Sequence, residues 1–455
     1  MDKSSRVIPT MKDRGIEIFL VLMSMILFTP AFPLPGGLPS VRIEELLLPV
    51  ILVLLWQNRT MGVKVIKQPM TILFVLLGIS MGISIGNAAI LQGGSVSLSD
   101  LMELIRVLKY LVLYVFMVTL IASSQRSLNR EEALTGFVNI SVVLFLGINW
   151  AQYFNFLYFN RWFSPLFGPP HHVERIIRNS RVIGTLGNPN FFGALMMIFL
   201  LFYFSKLIFQ FDQMKLKPVK WTLLISAAWM SLLLTASRTA LLAVVGGFAA
   251  GMAVYLLISQ KKHFIRLAGI FALVILLGLI SNILVVFTMR AYDDYLRPRF
   301  VSEEDDGRRL LQTTHTVGNR MQEALNEGRG IRTRLQVWST HFEYAKESLI
   351  IGNGPQKEEF RGEQVVDNEY LLILRRYGML GLVLYGSLYV HNLFKRPKGY
   401  RSKWYYTFLF SSTLSLLAFN LPAGSFYHLQ LFPAYIGFIA MYDGNGLRTS
   451  QDKDQ

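Results

Sequence analysis

Long apolar segments recur along this 455-residue chain, and they constrain its fold more than any other feature. A hydrophobic run of about 20 residues can cross the hydrocarbon core of a bilayer as one helix. Because 52% of the residues are hydrophobic and only 16% are charged, we predict an all-α polytopic integral membrane protein. Hydropathy predicts about twelve transmembrane helices, at 16–33, 43–57, 70–91, 101–123, 132–158, 189–209, 219–236, 238–258, 264–289, 377–394, 404–421 and 425–442.

The predicted spans divide the chain into three parts. Residues 1-289 form a transmembrane bundle of nine spans, residues 290-376 form one large extracytoplasmic loop, and residues 377-455 hold three further spans and a cytoplasmic tail. Within the loop, apolar residues recur every three or four positions, which predicts an amphipathic helix that rests on the bundle or in the membrane interface. These residues are Ile331, Leu335, Trp338, Phe342, Ala345 and Leu349.

Lysine and arginine are divided unequally between the two sets of loops. The set that contains most lysines marks the cytoplasmic face, so we predict that both termini are cytoplasmic. The opposite set holds many arginines and only two lysines, Lys346 and Lys357. Since a guanidinium grips phosphate or carboxylate with two donors, we expect an anionic ligand on the extracytoplasmic side. The net charge of +16 then reflects topology and membrane lipids, and no nucleic acid is expected as a partner.

Two short strings lie where predicted extracytoplasmic loops meet spans. Arg181 precedes GTLGNPNFFG, in which Asn188 suits the N-cap of a helix and Pro189 suits its first turn. This string is either a plain capped helix entrance or part of a site. Arg238 lies in TASRT between two spans joined by almost no loop. It either points into the bundle, where a cation needs a partner, or snorkels to the interface.

Two further strings lie late in the chain. Arg332 and Arg334 lie at the start of the predicted amphipathic helix. Arg334 could stack on Trp338 one turn later. The alternative is that this part of the helix is a solvated face with an interfacial tryptophan. The string Asp367-Asn368-Glu369-Tyr370 directly precedes a predicted span. Its acids suit a general base or a sugar-binding group, although acids also occur at ordinary helix starts.

Charged residues also occur inside predicted spans. Glu103, Arg106 and Lys109 are three residues apart, so they share one face of the fourth span. We expect Glu103 to neutralise Arg106 and Lys109 to face an aqueous or phosphate-lined cleft, because buried ionisable groups in membranes usually line cavities. Arg42 is a further candidate for substrate binding, unless it simply pairs with Glu44.

Motifs for metal and nucleotide chemistry are missing from the sequence. His171 and His172 are adjacent, but no further ligands follow at a suitable spacing, so they are better interpreted as loop histidines. The chain has no cysteine, no P-loop, no GxGxxG and no HExxH. We therefore expect no metal and no cofactor.

Four strings in this order resemble the O-antigen ligase and Wzy-type O-antigen polymerase superfamily of bacterial envelope polysaccharide assembly. They are Arg181 with GTLGNPNFFG, TASRTALLA, Arg334 with Trp338 leading to IIGNGP, and VDNEYLLILRRYGMLGL. The resemblance implies a metal-independent glycosyltransferase of the bacterial inner membrane, with its active site facing the periplasm. Its donor and acceptor would be glycans linked through pyrophosphate to undecaprenol, for lipopolysaccharide biosynthesis. A chain-length regulator protein would be a further partner.

The resemblance also implies roles for individual residues. Arg181, Arg238 and Arg334 would flank the pyrophosphate, and Asp367 would accept the proton of the attacking hydroxyl, with Glu369 as second candidate. The other candidates for substrate binding are Asn188, Arg106, Lys109, Arg332, Trp338, Asn368, Tyr370 and Arg42.

Ligases of the superfamily usually have His-Asn where this chain has Asp367-Asn368, which favours a polymerase. The alternatives are an O-antigen ligase or a protein O-oligosaccharyltransferase with the same donor. A lipid-linked oligosaccharide flippase is a third reading, but the sequence has none of the repeated halves that are typical of transporters.

Overall fold

The computed structural model describes residues 11–32, 41–90, 98–124, 130–168, 181–210, 218–259, 264–291, 329–355, 366–395 and 400–454. These residues are mostly helical, in agreement with the predicted all-α class. One short antiparallel ribbon pairs β1 (Ala31–Phe32) with β2 (Val41–Arg42). The helices are α1 (Met11–Phe28), α2 (Ile43–Leu46), α3 (Leu48–Gln57), α4 (Arg59–Ile66), α5 (Pro69–Ile90), α6 (Leu98–Ser123), α7 (Arg130–Phe154), α8 (Phe159–Trp162), α9 (Ser164–Phe167), α10 (Pro189–Gln210), α11 (Pro218–Leu234), α12 (Arg238–Ile258), α13 (Phe264–Ala291), α14 (Arg329–Glu347), α15 (Glu369–Leu393), α16 (Tyr400–Phe419) and α17 (Leu431–Asp454).

Seven of the described helices are long and apolar enough to cross a membrane: α5, α6, α7, α10, α12, α13 and α15. The chain is therefore a multi-pass membrane protein. The predicted span 43–57 is divided into α2 and α3 at Leu47, and the ten residues of α3 extend only about 15 Å, half of a bilayer core. The last predicted span, 425–442, becomes helical only at Leu431.

Helix α10 forms the centre of the bundle. Every residue from Phe192 to Phe209 is buried, because α11, α12 and α16 pack around it. Aromatic rings fill these contacts, such as Phe202 against Phe408 at 5.3 Å between ring centres. A second group of helices packs beside it, with α6 between α5 and α17, and with α5 against α15. The segment between α16 and α17 contacts the start of α15 at Glu369 and the residues just before α10 at Leu186.

Helix α15 is broken at Gly378, whose φ of 64° and ψ of −170° lie outside the helical region. A broken membrane helix leaves backbone groups that need new partners, because lipid offers none. The segment 349–354 after α14 supplies them through four backbone hydrogen bonds. Asn353 N–H donates to Arg375 O and Gly354 N–H to Arg376 O, both at 2.9 Å, while Met379 N–H donates to Leu349 O at 2.8 Å and Leu380 N–H to Ile350 O at 3.2 Å.

Candidate active site

The first two strings of the sequence pack against each other. The Arg181 side chain donates from Nε to Thr235 O at 2.9 Å and from Nη2 to Asn190 Oδ1 at 3.0 Å. Asn188 accepts the Asn190 N–H at 2.8 Å and precedes the first residue of α10, which confirms the predicted N-cap. Arg181 thus ties the start of α10 to the turn between α11 and α12.

Arg238 is exposed at the first position of α12, so the expectation that it points into the bundle is wrong. The buried face of α12 begins with Ala240 and continues with Ala243, Val244 and Gly247. Arg238 lies two residues before Ala240, about 200° round the helix, and therefore projects away from that face. Ser237 caps the helix, with its hydroxyl accepting the Ala240 N–H at 3.4 Å.

The last two strings meet at Asp367. Its Oδ2 lies 2.9 Å from Arg334 Nε, and its Oδ1 accepts the indole N–H of Trp338 at 2.9 Å. Both partners come from α14, so the expected stack of Arg334 on Trp338 is replaced by a shared carboxylate. The Asp367 side chain keeps 35% exposure and that of Arg334 keeps 51%. Arg332 lies in the first turn of α14, and its side chain is outside the described part of the structure.

The residues that follow Asp367 are buried. Asn368 caps α15, because its Oδ1 accepts the Leu371 N–H at 3.1 Å. Glu369 is 1% exposed, and three groups donate to its carboxylate: Phe426 N–H and Tyr427 N–H to Oε1 at 2.8 and 3.4 Å, and the Tyr385 hydroxyl to Oε2. The Tyr370 hydroxyl donates to Leu417 O at 2.6 Å, so it also secures the junction of α15 with α16.

The segment 420–430 between α16 and α17 connects these parts, although it contains none of the predicted site residues. His428 accepts the Leu431 N–H on Nδ1 at 3.1 Å, so its Nε2 carries the proton that Leu186 O accepts at 3.0 Å. Burial lowers the pKa of His428 to about 3, which keeps the ring neutral. The turn residues of Asn420-Leu-Pro-Ala-Gly424 were a signal that the apolar run ends here.

The charged residues of α6 have different partners from those expected. Glu103 accepts from Arg376 Nη1 and from the Tyr377 hydroxyl, both at 2.6 Å, so its direct ion pair is with Arg376 and not with Arg106 as expected. Both donors belong to α15, and they occupy both oxygens of Glu103. Lys109 Nζ lies 2.6 Å from Glu45 Oε1, so it is not a spare cation of a cleft.

Arg42 is buried and forms the predicted pair with Glu44, with 2.6 Å between Nε and Oε1. Its Nη2 also donates to Ile26 O at the end of α1, at 2.8 Å. These bonds give Arg42 a structural role in joining β2 to α1.

Arg106 is partly buried and lies over an aromatic ring. Its guanidinium carbon is 5.3 Å from the centre of the Tyr427 ring, and that of Arg376 is 5.5 Å from the same centre. Within the described residues, Arg106 has no hydrogen bond or ion pair, and the buried hydroxyl of Tyr427 has no partner at ordinary hydrogen-bond distance. The Tyr377 hydroxyl lies close to it but donates its proton to Glu103. The site therefore contains unsatisfied donors next to a surplus positive charge.

Among the described residues, no group of three or more His, Cys, Asp or Glu is arranged to hold a metal ion. His171 and His172 lie outside the described residues, as do positions 292–328 of the predicted extracytoplasmic loop.

The comparisons with known proteins agree with the motifs. The model of a family described as O-Antigen ligase matches residues 221–386, which include Arg238, Arg334, Trp338 and Asp367. Three of the four strings fall within this match, and the Arg181 string precedes it. No curated protein matches the chain. The family covers O-antigen ligases and related polymerases, which are membrane enzymes of glycosyltransferase type. The match at residues 221–386 thus lies in the O-antigen ligase family that the motifs resemble.

Proposed function

We propose that the protein polymerises oligosaccharide repeat units carried on undecaprenyl pyrophosphate, at the periplasmic face of the bacterial inner membrane. The observation that carries this proposal is the partly exposed Asp367 carboxylate, held by Arg334 and Trp338 at the start of a membrane helix. Ligases that resemble this chain usually have a histidine at this position, so an acid here favours the polymerase over the ligase.

The chemistry is a glycosyl transfer between two lipid-linked glycans. A hydroxyl of one glycan attacks the anomeric carbon of the other, and the bond from that carbon to the pyrophosphate oxygen breaks. Lipid pyrophosphate leaves with the electron pair, while Asp367 takes the proton of the attacking hydroxyl. A positioned base of this kind typically accelerates a reaction by about 10²–10⁴-fold.

The contacts of Asp367 suit this role. Arg334 and Trp338 each occupy one lone pair, one on each carboxylate oxygen, and each oxygen has a second lone pair. The two donors fix the orientation of the carboxylate, and its 35% exposure leaves room for a sugar hydroxyl. An oriented and accessible acceptor is what the attacking group needs.

The leaving group needs positive charge. Arg238 is exposed at the start of α12, and half of the Arg334 side chain is exposed as well, so both can contribute positive charge. One charged donor aimed at a leaving oxyanion can contribute roughly 3 kcal/mol of transition-state stabilisation. Arg181 is bonded to Thr235 and Asn190, so we assign it to holding the start of α10 in place.

The proposal is tested by reconstituting the purified protein with a chemically defined undecaprenyl-pyrophosphate-linked repeat unit. We expect a ladder of lipid-linked oligomers without any added nucleotide or metal. Transfer of single units to lipid A core or to protein, with no ladder, would contradict the polymerase. Movement of the substrate between leaflets without any new glycosidic bond would contradict an enzyme.

A further inference from the structure

Arg106 and Tyr427 both have hydrogen-bond donors that no acceptor uses. A guanidinium presents five N–H donors, yet within the described residues Arg106 lies over the ring of Tyr427 and has no hydrogen bond or ion pair. The hydroxyl of Tyr427 is buried and has no partner at ordinary hydrogen-bond distance in the described part of the chain; the Tyr377 hydroxyl lies close by, but its proton goes to Glu103 Oε2. Buried polar groups are nearly always hydrogen-bonded, so two such donors side by side indicate a missing acceptor.

The neighbouring cations differ from Arg106, because each lies beside a carboxylate. Arg376 pairs with Glu103 and Lys109 with Glu45, both at 2.6 Å. Arg106 has no carboxylate within ion-pair distance among the described residues. The missing acceptor is therefore expected to be negatively charged.

The position of Tyr427 is fixed by the fold. The Oε1 atom of Glu369 accepts its N–H and that of Phe426, and Phe426 O accepts the hydroxyl of Tyr110 at 2.8 Å. Burial raises the pKa of the Tyr427 phenol, which keeps the donor proton in place at neutral pH. The ring also lies under the guanidinium of Arg376, so the hydroxyl has little freedom to move.

We propose that the Arg106 guanidinium and the Tyr427 hydroxyl together bind phosphoryl oxygens, and that the ligand is the pyrophosphate of the lipid-linked donor. Phosphate oxygens only accept hydrogen bonds, and they carry the negative charge that would balance the Arg106 guanidinium. The inference rests on the proposed function for the identity of the ligand. Glu369 connects the subsite to Asp367. It lies two residues after Asp367 in the sequence, and its carboxylate accepts the backbone N–H of Tyr427. Neither Arg106 nor Tyr427 lies within the family match at 221–386.

Binding is measured first with the full chain in detergent, by native mass spectrometry. The probes are undecaprenyl pyrophosphate, phosphatidylglycerol and inorganic pyrophosphate. We expect undecaprenyl pyrophosphate to bind and inorganic pyrophosphate to displace it, while phosphatidylglycerol at the same concentration does not. Equal binding of phosphatidylglycerol would overturn the pyrophosphate ligand, since any phosphate head group would then suffice.

Two substitutions test the residues. Tyr427→Phe removes one oxygen and keeps the ring between its neighbours, so we expect about tenfold weaker binding of undecaprenyl pyrophosphate. Arg106→Gln removes the charge, and we expect about 100-fold weaker binding. The matched controls are Tyr406→Phe, whose hydroxyl donates to Leu393 O, and Arg59→Gln, whose guanidinium lies over Trp56 at 5.9 Å. Both controls should bind like the wild type.

Wild-type affinity in Tyr427→Phe would overturn the subsite, and this conservative variant decides the matter if Arg106→Gln does not fold. Ladder formation on the same preparations separates this inference from the proposed function. If the variants bind undecaprenyl pyrophosphate more weakly but the wild-type protein forms no ladder of oligomers, the polymerase is contradicted and the subsite is supported. A wild-type ladder with unchanged affinity in both variants would contradict the subsite alone.

Discussion

Asp367 and Glu369 are two residues apart, but their surroundings suit different roles. The Asp367 side chain is 35% exposed and has two donors, whereas Glu369 is 1% exposed and receives three. A general base must reach the proton that it removes. Asp367 meets this requirement, and we interpret Glu369 as a positioning residue for the segment 420–430 rather than as the second candidate base.

Asp367→Asn is expected to lower the initial rate of ladder formation at least about 100-fold, because an amide cannot take the proton. Binding of undecaprenyl pyrophosphate should stay within about twofold, since the phosphate subsite is formed by other residues. Glu343→Gln is the matched control, because it neutralises an exposed carboxylate of α14 that pairs with Lys346 at 2.8 Å. A wild-type rate in Asp367→Asn would exclude this carboxylate as the base.

Glu369→Gln is expected to weaken binding of undecaprenyl pyrophosphate by about the same factor as Tyr427→Phe. Glu369 holds the backbone of Tyr427 and so positions the hydroxyl that Tyr427→Phe removes. The double variant should then lose little more than either single variant, and a double-mutant cycle measures this coupling. Combination of Tyr427→Phe with the control Arg59→Gln should be additive. If the effects of Glu369→Gln and Tyr427→Phe on binding are fully additive, Glu369 does not act through Tyr427 and only stabilises the fold.

His428 makes the stability of the protein depend on pH. Burial, together with Arg42 and Arg106 nearby, lowers its pKa to about 3, well below the ordinary 6.5. Stability from the neutral ring is therefore present above pH 6.5 and is lost as the pH falls towards 3, by up to about 1.4 kcal/mol per pH unit. His428→Gln should show a shallower decrease of the melting temperature between pH 7 and 5. Identical slopes would contradict a buried neutral His428.

The break in α15 is the element that joins the membrane bundle to α14. Gly352, Gly354 and Gly378 have φ values of 90°, 77° and 64°, which L side chains rarely adopt. A Cβ on Gly378 would lie within van der Waals overlap of the Ile350 carbonyl. The backbone bonds between the break and 349–354 place α14, with Arg334 and Trp338, next to the start of α15.

Gly378→Ala is expected to destabilise the protein by about 1–3 kcal/mol, because its φ and ψ are accessible essentially to glycine alone. It should also slow ladder formation, since α14 supplies two partners of Asp367. Gly386→Ala is the control on the same helix, where an added Cβ meets nothing within 4 Å, and it should be neutral or slightly stabilising. Equal melting temperatures for the two variants would argue against a strained break.

Local patterns predicted α14 well but could not predict what covers it. The helix occurs where the apolar stripe placed it, and its Ala345 is fully buried. Leu335 and Phe342, from the same stripe, remain 56% and 45% exposed. Periodicity gives the direction of an apolar face, whereas the choice between protein and lipid as its neighbour depends on the tertiary arrangement.

At the scale of the molecule, sequence order predicted the class, the positions of most helices and the Asn188 cap. It could not predict the ion pairs between helices, such as Glu103 with Arg376 and Lys109 with Glu45. These partners depend on how α6 is rotated against α15 and α2, which no local pattern encodes. The expected pairing of Glu103 with Arg106 was wrong for this reason, because Glu103 forms its ion pair with Arg376 although it shares a face of α6 with Arg106.

The candidate site draws on parts of the chain that are far apart. The family-matched segment contributes Arg238, Arg334 and Asp367, while Arg106 and Tyr427 lie on either side of it in sequence. The segment 420–430 holds these parts together, because Glu369 binds its backbone and His428 donates to Leu186 O. The proposed phosphate subsite and the proposed base therefore depend on the fold of the whole bundle for their relative placement.

The most direct test of this arrangement is a cryo-electron microscopy structure of the Asp367→Asn variant in lipid nanodiscs with the lipid-linked repeat unit bound. We expect density for the pyrophosphate within hydrogen-bond distance of Arg106 and the Tyr427 hydroxyl, about 3 Å, with the first sugar directed towards residue 367. Pyrophosphate bound elsewhere in the bundle, with Arg106 still stacked on Tyr427 and no sugar near residue 367, would contradict the account.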